Sequence, residues 1–414
     1  MNCMSRTLAT RLTRPALAAA MLLGAWALPA AAADFVTSDR TIANGNPLNG
    51  NYIGQTVVVG ASLISNGIVT RVPNVQVDVV APALFSYSDQ TGGGIAAYSN
   101  SVVRIQGGTF NQISPTGFGG GVSGSDTSSI TVNGGSLRAV SVAGTAAGAA
   151  GAHATINGGL VENGVAGVAY IVNGTLDVNG GTLRATGGQS GIAGGGGSVI
   201  TVSGGLVQSL QGAAIYIAQD SALTMTGGTV AGGTGGVAQW GVRMEGANLM
   251  ADLRGGTVNG GIRTSAASNQ TALQATLGGS LTMNGGVFAY DNAAVNVTGG
   301  SYTRFAGADA SFFTMGSNSI NFFGTDLALS GPTAGSVFEL NNYIGNFYTF
   351  TGGTFSDGQS AIGLRLFDAT SVAGNVLGGG FTLNPSAVPE PSTWLLMALA
   401  LPAIGAAVRR RTRA

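Results

Sequence analysis

Residues 176–183 read LDVNGGTL, and this short pattern decides the fold. Apolar and polar side chains alternate from Leu176 to Asn179, which is typical of a strand with one buried face. The pair Gly180–Gly181 then allows a sharp turn, because glycine adopts backbone conformations that other residues resist. An apolar residue, Leu183, follows two positions later. The pattern therefore predicts a short strand, a tight turn and the start of a second strand.

The same pattern recurs along the chain. Its spacings lie between 22 and 30 residues, apart from one of 14, which predicts an irregular or inserted turn near 276–280. The first glycine of each repeat lies at Gly107, Gly134, Gly158, Gly180, Gly204, Gly227, Gly255, Gly285, Gly299, Gly324 and Gly352. A Gly-rich run at 191–197 predicts a surface loop.

Aligning the repeats gives three apolar rows that predict the core. The first row is Ile105, Val132, Ile156, Val178, Val202, Met225, Leu253, Met283, Val297, Phe322 and Phe350. A second row, two residues earlier, is Ile130, Leu176, Ile200, Leu223, Leu281, Val295 and Ile320. The third row, after the turn, is Phe110, Leu137, Val161, Leu183, Val207, Val230, Val258, Phe288, Tyr302, Leu327 and Phe355.

A unit of this size cannot bury its own apolar face, but a stack of such units can. We therefore expect an all-β, right-handed parallel β-helix of about 11–14 coils of about 24 residues. A stacked β-sandwich array is the main alternative. A helical repeat would need a period of 3.6 residues, and the Gly pairs would break its helices.

Composition narrows the class of protein. The 414 residues include 71 Gly, 17 Arg, no Lys, one His and one Cys, and only 8% are charged. Seven Arg lie in the two termini, so the body from Asp34 to Val388 holds ten Arg against 16 acids. This mildly acidic body argues against a nucleic-acid partner. The single Cys3 excludes a disulfide scaffold and a Cys-ligated metal, and we expect no cofactor and no metal.

The N-terminus predicts a secretory signal peptide over residues 1–33. Arg6, Arg11 and Arg14 precede a short apolar run, and small residues end it at Ala31 and Ala33, where we expect cleavage. The implied partners are the Sec translocon and signal peptidase. An uncleaved membrane anchor is the alternative.

The C-terminus is the most specific feature of the sequence. The motif Pro389–Glu390–Pro391 precedes an apolar run at 394–408, which predicts a transmembrane helix, and then the basic residues Arg409, Arg410 and Arg411. This order of parts resembles the PEP-CTERM sorting signal of Gram-negative bacteria. The resemblance implies recognition by an exosortase, removal of the tail, and release to or attachment at the cell surface. An ordinary tail anchor is the alternative.

The repeats resemble the passenger regions of autotransporters, although no room remains after residue 380 for a translocator barrel. We accordingly divide the chain at the following boundaries: signal peptide 1–33, N-terminal coils or cap 34–100, β-helix repeats 101–377, linker 378–387 and sorting signal 388–414.

Few residues suggest chemistry. His153 is the only His and is expected to be exposed in a loop before a strand, without a nucleophile motif. Asp177 and Asp252 share an outward position but lie three coils apart, too far to act as a glycosidase pair. The Gly-rich segment 119–126 is the nearest approach to a calcium-binding turn, yet it lacks the tandem array.

These observations predict a non-enzymatic exported protein of the surface or extracellular matrix, structural or adhesive, with no catalytic residues. The expected path is an inner-membrane-tethered precursor, held by its C-terminal helix, and then a cell-surface or extracellular protein. The resemblance to PEP-CTERM proteins implies an exopolysaccharide or biofilm matrix as the partner. A polysaccharide-binding or polysaccharide-degrading β-helix is the alternative, and acidic and aromatic residues clustered on one face would favour it.

Overall fold

The computed structural model describes most of the repeat region. All structural statements below refer to residues 34–36, 56–60, 63–64, 68–70, 73–87, 94–112, 121–144, 151–165, 167–233, 240–265, 273–304, 309–316, 318–337, 343–372, 375–376 and 381–385. The expected signal peptide at 1–33 and the sorting signal at 388–414 lie outside these residues, as does half of the predicted linker.

The described chain is a parallel β-solenoid with about nine regular turns, about 24 residues apart, which confirms the predicted all-β fold class. Within the described residues eleven turns, including those with less regular spacing, each contribute one strand to each of three sheets. We number the sheets in chain order and term the stack of turns the rod. The hand of the winding stays a prediction.

The three sheets are built from short strands. Sheet 1 contains Asp34–Val36, Thr56–Val59, Gln76–Val79, Val102–Ile105, Ser129–Val132, His153–Ile156, Thr175–Val178, Val199–Val202, Ala222–Met225, Met250–Leu253, Leu273–Leu277, Ala293–Val297, Ser319–Leu329 and Phe381–Pro385. Sheet 2 contains Leu63–Ile64, Leu84–Tyr87, Thr109–Gln112, Ser136–Leu137, Leu160–Asn163, Thr182–Ala185, Leu206–Ser209, Thr229–Ala231, Thr257–Asn259, Thr282–Asn284 and Ser301–Tyr302. Sheet 3 contains Ile68–Thr70, Gly94–Ala97, Gly121–Ser125, Val140–Ala143, Ala169–Val172, Ile192–Gly195, Ile215–Ala218, Val242–Glu245, Ile262–Ser265, Val287–Tyr290, Phe312–Met315 and Arg365–Val372.

Like residues stack on like residues along the rod. Val178 pairs with Val202, which pairs with Met225 on the next turn. The three side chains are fully buried, and the same holds for most of the predicted rows in sheets 1 and 2. The repeat therefore places the hydrophobic core along the axis, where parallel pairing keeps every turn in register.

Close stacking of the turns explains the Gly–Gly pair between sheets 1 and 2. A Cβ built on Gly204 would lie 2.3 Å from the carbonyl oxygen of Asn179 on the preceding turn. Gly205 has a φ of +75°, and its Cβ would lie 2.7 Å from the carbonyl carbon of Gly180. The first glycine is thus required by contact between turns, and the second by contact and by backbone conformation.

The repeat predicted at Gly285 does not lie at the same junction between sheets as the repeats before it. The strand Leu273–Leu277 lies in sheet 1 and is followed by Gly278–Gly279, whereas Gly285 lies between sheets 2 and 3. Leu277, not Met283, continues the first row, because it pairs with Leu253 and Val297. The irregular spacing near 276–280 arises because a second Gly–Gly pair follows the sheet 2 strand of this turn. The predicted members Met283, Leu281 and Phe288 therefore lie elsewhere than expected.

The last two predicted repeats, at Gly324 and Gly352, are not regular turns. The strand Ser319–Leu329 leaves sheet 1 and pairs antiparallel with Tyr343–Phe355, so that Gly324 lies opposite Phe355. The strand Tyr343–Phe355 also pairs antiparallel with Thr333–Val337 and Arg365–Val372, and Asn375–Val376 pairs with the latter. The long antiparallel strands join sheets 1 and 3, and the predicted row members Phe350, Leu327 and Phe355 belong to them.

The antiparallel segment also contacts the last Gly–Gly turn of the rod. The Asp357 carboxylate accepts a hydrogen bond of 2.8 Å from the backbone N–H of Gly300, and the Asp357 N–H donates to the carbonyl of Thr298 at 3.0 Å. These contacts satisfy backbone groups that the next turn would otherwise bond. The segment therefore covers one corner of the rod's C-terminal end.

The predicted linker at 378–387 contains a strand. Phe381–Pro385 pairs in parallel with Ile320–Gly324 of sheet 1, and Phe381 and Leu383 pack against the core. The alternation of apolar residues at 381 and 383 explains this strand. The linker assignment is therefore wrong for these residues.

A second hydrophobic cluster lies on the outer face of sheet 3 near the same end. Phe288 is 1% exposed and packs edge-on against Trp240, with ring centroids 4.8 Å apart. Phe313 and Phe367 continue the stack, with centroids 5.2 Å apart.

Among the described residues no helix is long and apolar enough to cross a membrane.

Candidate functional site

Polar side chains form a continuous row on the outer face of sheet 1. Strand pairing places its members next to one another, one for each turn, about 4.8 Å apart. The row is Thr131, Thr155, Asp177, Thr201, Thr224, Asp252, Thr276 and Asn296. The rod thus presents a long, repetitive polar surface rather than one cleft.

Asparagine side chains form a second row, at the residue before three successive Gly–Gly turns. Asn157 Nδ2 donates to Asn133 Oδ1 at 2.9 Å, and Asn179 Nδ2 donates to Asn157 Oδ1 at 2.9 Å. Gln106 accepts from Asn133 at one end, and Ser203 donates to Asn179 at the other. These side chains hydrogen-bond to each other along the rod, which stabilises the turns and occupies donors that a ligand would need.

His153 lies in a strand, not in the loop that the sequence predicted. It begins the sheet 1 strand His153–Ile156, and its Nε2 lies 2.8 Å from Asp177 Oδ2 on the next turn. Thr155 Oγ1 lies 3.3 Å from the same Nε2. A catalytic relay uses one ring nitrogen for the acid and the other for the nucleophile. This cluster therefore has the geometry of a surface hydrogen bond between turns.

The Asp177 contact could have been found by extending the alignment. His153 pairs with Thr175, and Thr155 pairs with Asp177, as the register of the Gly–Gly turns requires.

The carboxylates are dispersed along the rod. Asp177 and Asp252 share the sheet 1 row and are three turns apart, as expected. Asp252 bonds Arg254 Nε at 2.7 Å, and Glu162 contacts Arg184 on the neighbouring turn. Within the described ranges no group of three or more His, Cys, Asp or Glu side chains could hold a metal ion.

The outer face of sheet 3 carries a cluster that the sequence analysis missed. Tyr216, Arg243 and Arg263 lie on consecutive turns in one register row, with Glu245 two residues after Arg243. Glu245 Oε2 lies 2.8 Å from Arg243 Nη2, and Glu245 Oε1 lies 3.7 Å from Arg263 Nη1. The hydrogen bond from Glu245 is the main reason that the pKa of Arg243 is above its ordinary value.

The two arginines also contact aromatic rings. Arg243 Cζ lies 5.5 Å from the centre of the Tyr216 ring, and Arg263 Cζ lies 5.2 Å from that of Tyr290. The Gly–Gly pair that repeats on the regular turns lies at the junction of sheets 1 and 2, so the register of sheet 3 could not be read from it. The signal available in the sequence was the second position of the segments IYIA, VRME and IRTS.

Asp368, at the C-terminal end of sheet 3, provides a pH-dependent prediction. Burial raises its pKa from 3.8 to about 6, so the folded protein keeps a proton that the unfolded chain releases between these pH values. Its contribution to stability is therefore greatest below pH 4 and is lost as the pH rises to about 6. We expect Asp368→Asn to raise the melting temperature relative to wild type more at pH 8 than at pH 4. Thermal unfolding at both pH values measures this difference, and an equal shift at both would contradict it.

The comparisons with known proteins concern the C-terminus. Residues 387–411 match the PEP-CTERM protein-sorting motif. Searches of curated proteins and of solved structures give no match. The matched span includes Pro389, Glu390, Pro391, Arg409, Arg410 and Arg411. The roles of these individual residues stay predictions, as does cleavage at Ala31 and Ala33, and all of them lie outside the residues that the structure describes.

The sorting motif indicates where the chain is located in the cell. A PEP-CTERM signal indicates export and sorting to the cell surface in Gram-negative bacteria, with processing by an exosortase. The body that this signal accompanies is the β-solenoid described above. The chain is therefore an exported surface protein that combines a β-solenoid rod with a C-terminal PEP-CTERM sorting motif.

Proposed function

We propose that this protein is a non-enzymatic structural or adhesive component of an exopolysaccharide-rich surface or biofilm matrix. The observation that carries the proposal is the combination of a sorting motif with a rod that presents a polar side chain at the same position on eight successive turns. A repeated surface binds a repetitive partner at many points, and multiple weak contacts add to a high avidity. No single pocket is needed for such a role.

The proposed path begins at the Sec translocon, where signal peptidase removes residues 1–33. The apolar segment 394–408 then holds the precursor in the inner membrane, with the terminal arginines on the cytoplasmic side. The exosortase removes this tail, and the rod reaches the cell surface or the surrounding matrix.

Replacing Pro389, Glu390 and Pro391 with Ala tests the sorting step. We expect the variant to accumulate in the membrane fraction with its tail intact, because the exosortase no longer recognises it. Cell fractionation and intact-mass measurement check this. The matched control replaces Ser392 and Thr393, directly after the motif, and should be processed as wild type. Exported wild-type protein that still ends at Ala414 would refute the sorting proposal.

The matrix role needs a separate test. Exported protein should sediment with isolated matrix exopolysaccharide while leaving the chain length of the polysaccharide unchanged. A protein that stays in solution would contradict the matrix role. Shortened polysaccharide chains would instead support an enzyme.

A polysaccharide-binding or polysaccharide-degrading β-helix is the second candidate. The observation that favours it is the aromatic and charged cluster on sheet 3, where Tyr216, Arg243, Arg263 and Glu245 lie on consecutive turns. Binding is compatible with the matrix role, whereas degradation would replace it.

A further inference from the structure

A polar cavity lies on the outer surface of the rod, at the corner where sheet 2 leads into sheet 3. Its volume is about 290 Å³, close to the lower limit of small-ligand sites. Two consecutive turns form its walls, and the strand of the turn after them supplies one more residue. Among the lining residues are Gln189, Ser190, Gln211, Gly212, Tyr216 and Arg243.

Buried hydrogen bonds hold the walls in place. Ser209, which is fully buried, donates from Oγ to the carbonyl of Gln189 at 2.7 Å and accepts from the N–H of Gly212 at 2.8 Å. A Cβ on Gly212 would lie 3.0 Å from the carbonyl oxygen of Gly188, so glycine permits this close approach. The cavity is thus preformed, and a ligand would not have to order it.

In the cavity the guanidinium of Arg243 lies over the ring of Tyr216, with Cζ 5.5 Å from the ring centre. Tyr216 and Arg243 are register neighbours on adjacent turns, and both project from the outer face of sheet 3. The Glu245 bond occupies one N–H of Arg243, and the remaining donors of a guanidinium can bind a second carboxylate. Glu245 is shared with Arg263, so the three side chains keep an excess of one positive charge.

The charge excess is unusual for this rod, because the body from Asp34 to Val388 holds ten Arg against 16 acids. A local cation at a preformed cavity favours an anionic group over a neutral one. The amides of Gln189 and Gln211 and the Ser190 hydroxyl offer both donors and acceptors, as the hydroxyl groups of a sugar require. The face of the Tyr216 ring that Arg243 does not cover offers an apolar surface for the sugar ring.

We propose that this cavity binds one carboxylated sugar residue, of the uronic acid type, within an acidic polysaccharide. Arg243 would bind the carboxylate, Tyr216 would pack against the sugar ring, and the glutamines would bind its hydroxyls. The proposal rests on the proposed matrix role and names the chemical class of polysaccharide that the rod recognises.

The test uses the purified full chain of the wild-type protein and tetragalacturonate as the probe, with binding measured by isothermal titration calorimetry. The matched neutral probe is the methyl ester of the same tetrasaccharide. We expect saturable binding of tetragalacturonate and at least tenfold weaker binding of the ester. Tyr216→Ala and Arg243→Gln should each weaken tetragalacturonate binding at least tenfold.

Two further variants serve as controls for specificity and for stability. Tyr170→Ala removes an exposed tyrosine from the same sheet 3 row, two turns away, and should bind within twofold of wild type. Gln211→Ala changes an exposed cavity residue without touching the Arg243–Glu245 pair, and should weaken binding even if Arg243→Gln destabilises the rod. Circular dichroism establishes that each variant is folded.

Three results would overturn the proposal: no saturable binding by wild type, equal binding of acid and ester, or unchanged affinity in both Tyr216→Ala and Gln211→Ala. Failure of sorting in cells would leave this binding experiment unaffected. A rod that is sorted normally but binds neither probe would refute the cavity proposal alone.

Discussion

Gly205→Ala is expected to destabilise the rod strongly, whereas Gly363→Ala is expected to be mild. Both glycines have a positive φ, +75° and +83°, so both substitutions strain the backbone by about 1–2 kcal/mol. Only Gly205 is pressed against the preceding turn, where the new Cβ would lie 2.7 Å from a backbone carbon of Gly180. Overpacking of this kind costs about a further 1–3 kcal/mol.

A second pair of variants, at glycines without a positive φ, compares the effect of the contact alone. Gly204 and Gly331 both lack the left-handed conformation, but a Cβ at 204 would lie 2.3 Å from a carbonyl oxygen and one at 331 would meet nothing within 4 Å. Gly204→Ala should therefore lower the free energy of unfolding, and Gly331→Ala should leave it nearly unchanged. Urea unfolding followed by circular dichroism measures all four variants. Equal effects within each pair would mean that contact between turns does not explain the Gly–Gly repeat.

Phe322→Ala is expected to loosen the C-terminal end of the rod. Phe322 is fully buried, and its ring lies 5.0 Å from that of Phe312 and 5.1 Å from that of Phe350. It thus joins the last regular turn to the antiparallel strand Tyr343–Phe355. Removing a buried Phe side chain costs about 3–5 kcal/mol. In a solenoid the loss stays local, because each turn contacts only its neighbours.

The matched control is Phe85→Ala, near the other end of the described rod. Phe85 is also fully buried and stacks on Phe110 at a centroid distance of 4.2 Å. Hydrogen exchange should show lost protection at 343–355 in Phe322→Ala and at 102–112 in Phe85→Ala. Loss of protection along the whole rod in either variant would indicate global rather than local coupling.

The sequence predicted the parts of the fold that the Gly–Gly turn marks. Gly204 and Gly205 could be placed because the turn imposes both a conformation and a contact, and the apolar rows beside it followed by counting. The pattern predicts the repeat at 285–286 instead of at 278–279, because both Gly–Gly pairs follow strands of similar composition. Local pattern alone does not distinguish the junction of sheets 1 and 2 from that of sheets 2 and 3.

Sheet 3 could not be predicted in the same way. Ile192–Gly195 lies in a Gly-rich run that predicted a loop, yet stacking on its neighbours makes it a strand. A Cβ on Gly194 would lie 2.6 Å from Ser198 Oγ, so the small residue is required by packing inside the rod. The cluster of Tyr216 and Arg243 could not be predicted either, because the sheet 3 strands that hold it are not preceded by a repeating Gly–Gly pair that would show how they align.

The strand Phe381–Pro385 closes the described rod, and the sorting motif begins at residue 387. Any load applied through an anchored C-terminus would therefore act directly on the last strand of sheet 1. Turns would detach in order from that end, because each is held only by its neighbour. Detachment of one turn shortens the folded rod by about 5 Å. It releases about 24 residues, which span about 80 Å when extended. Such a rod would act as an extensible tether that yields turn by turn under tension and rewinds when the tension is relieved.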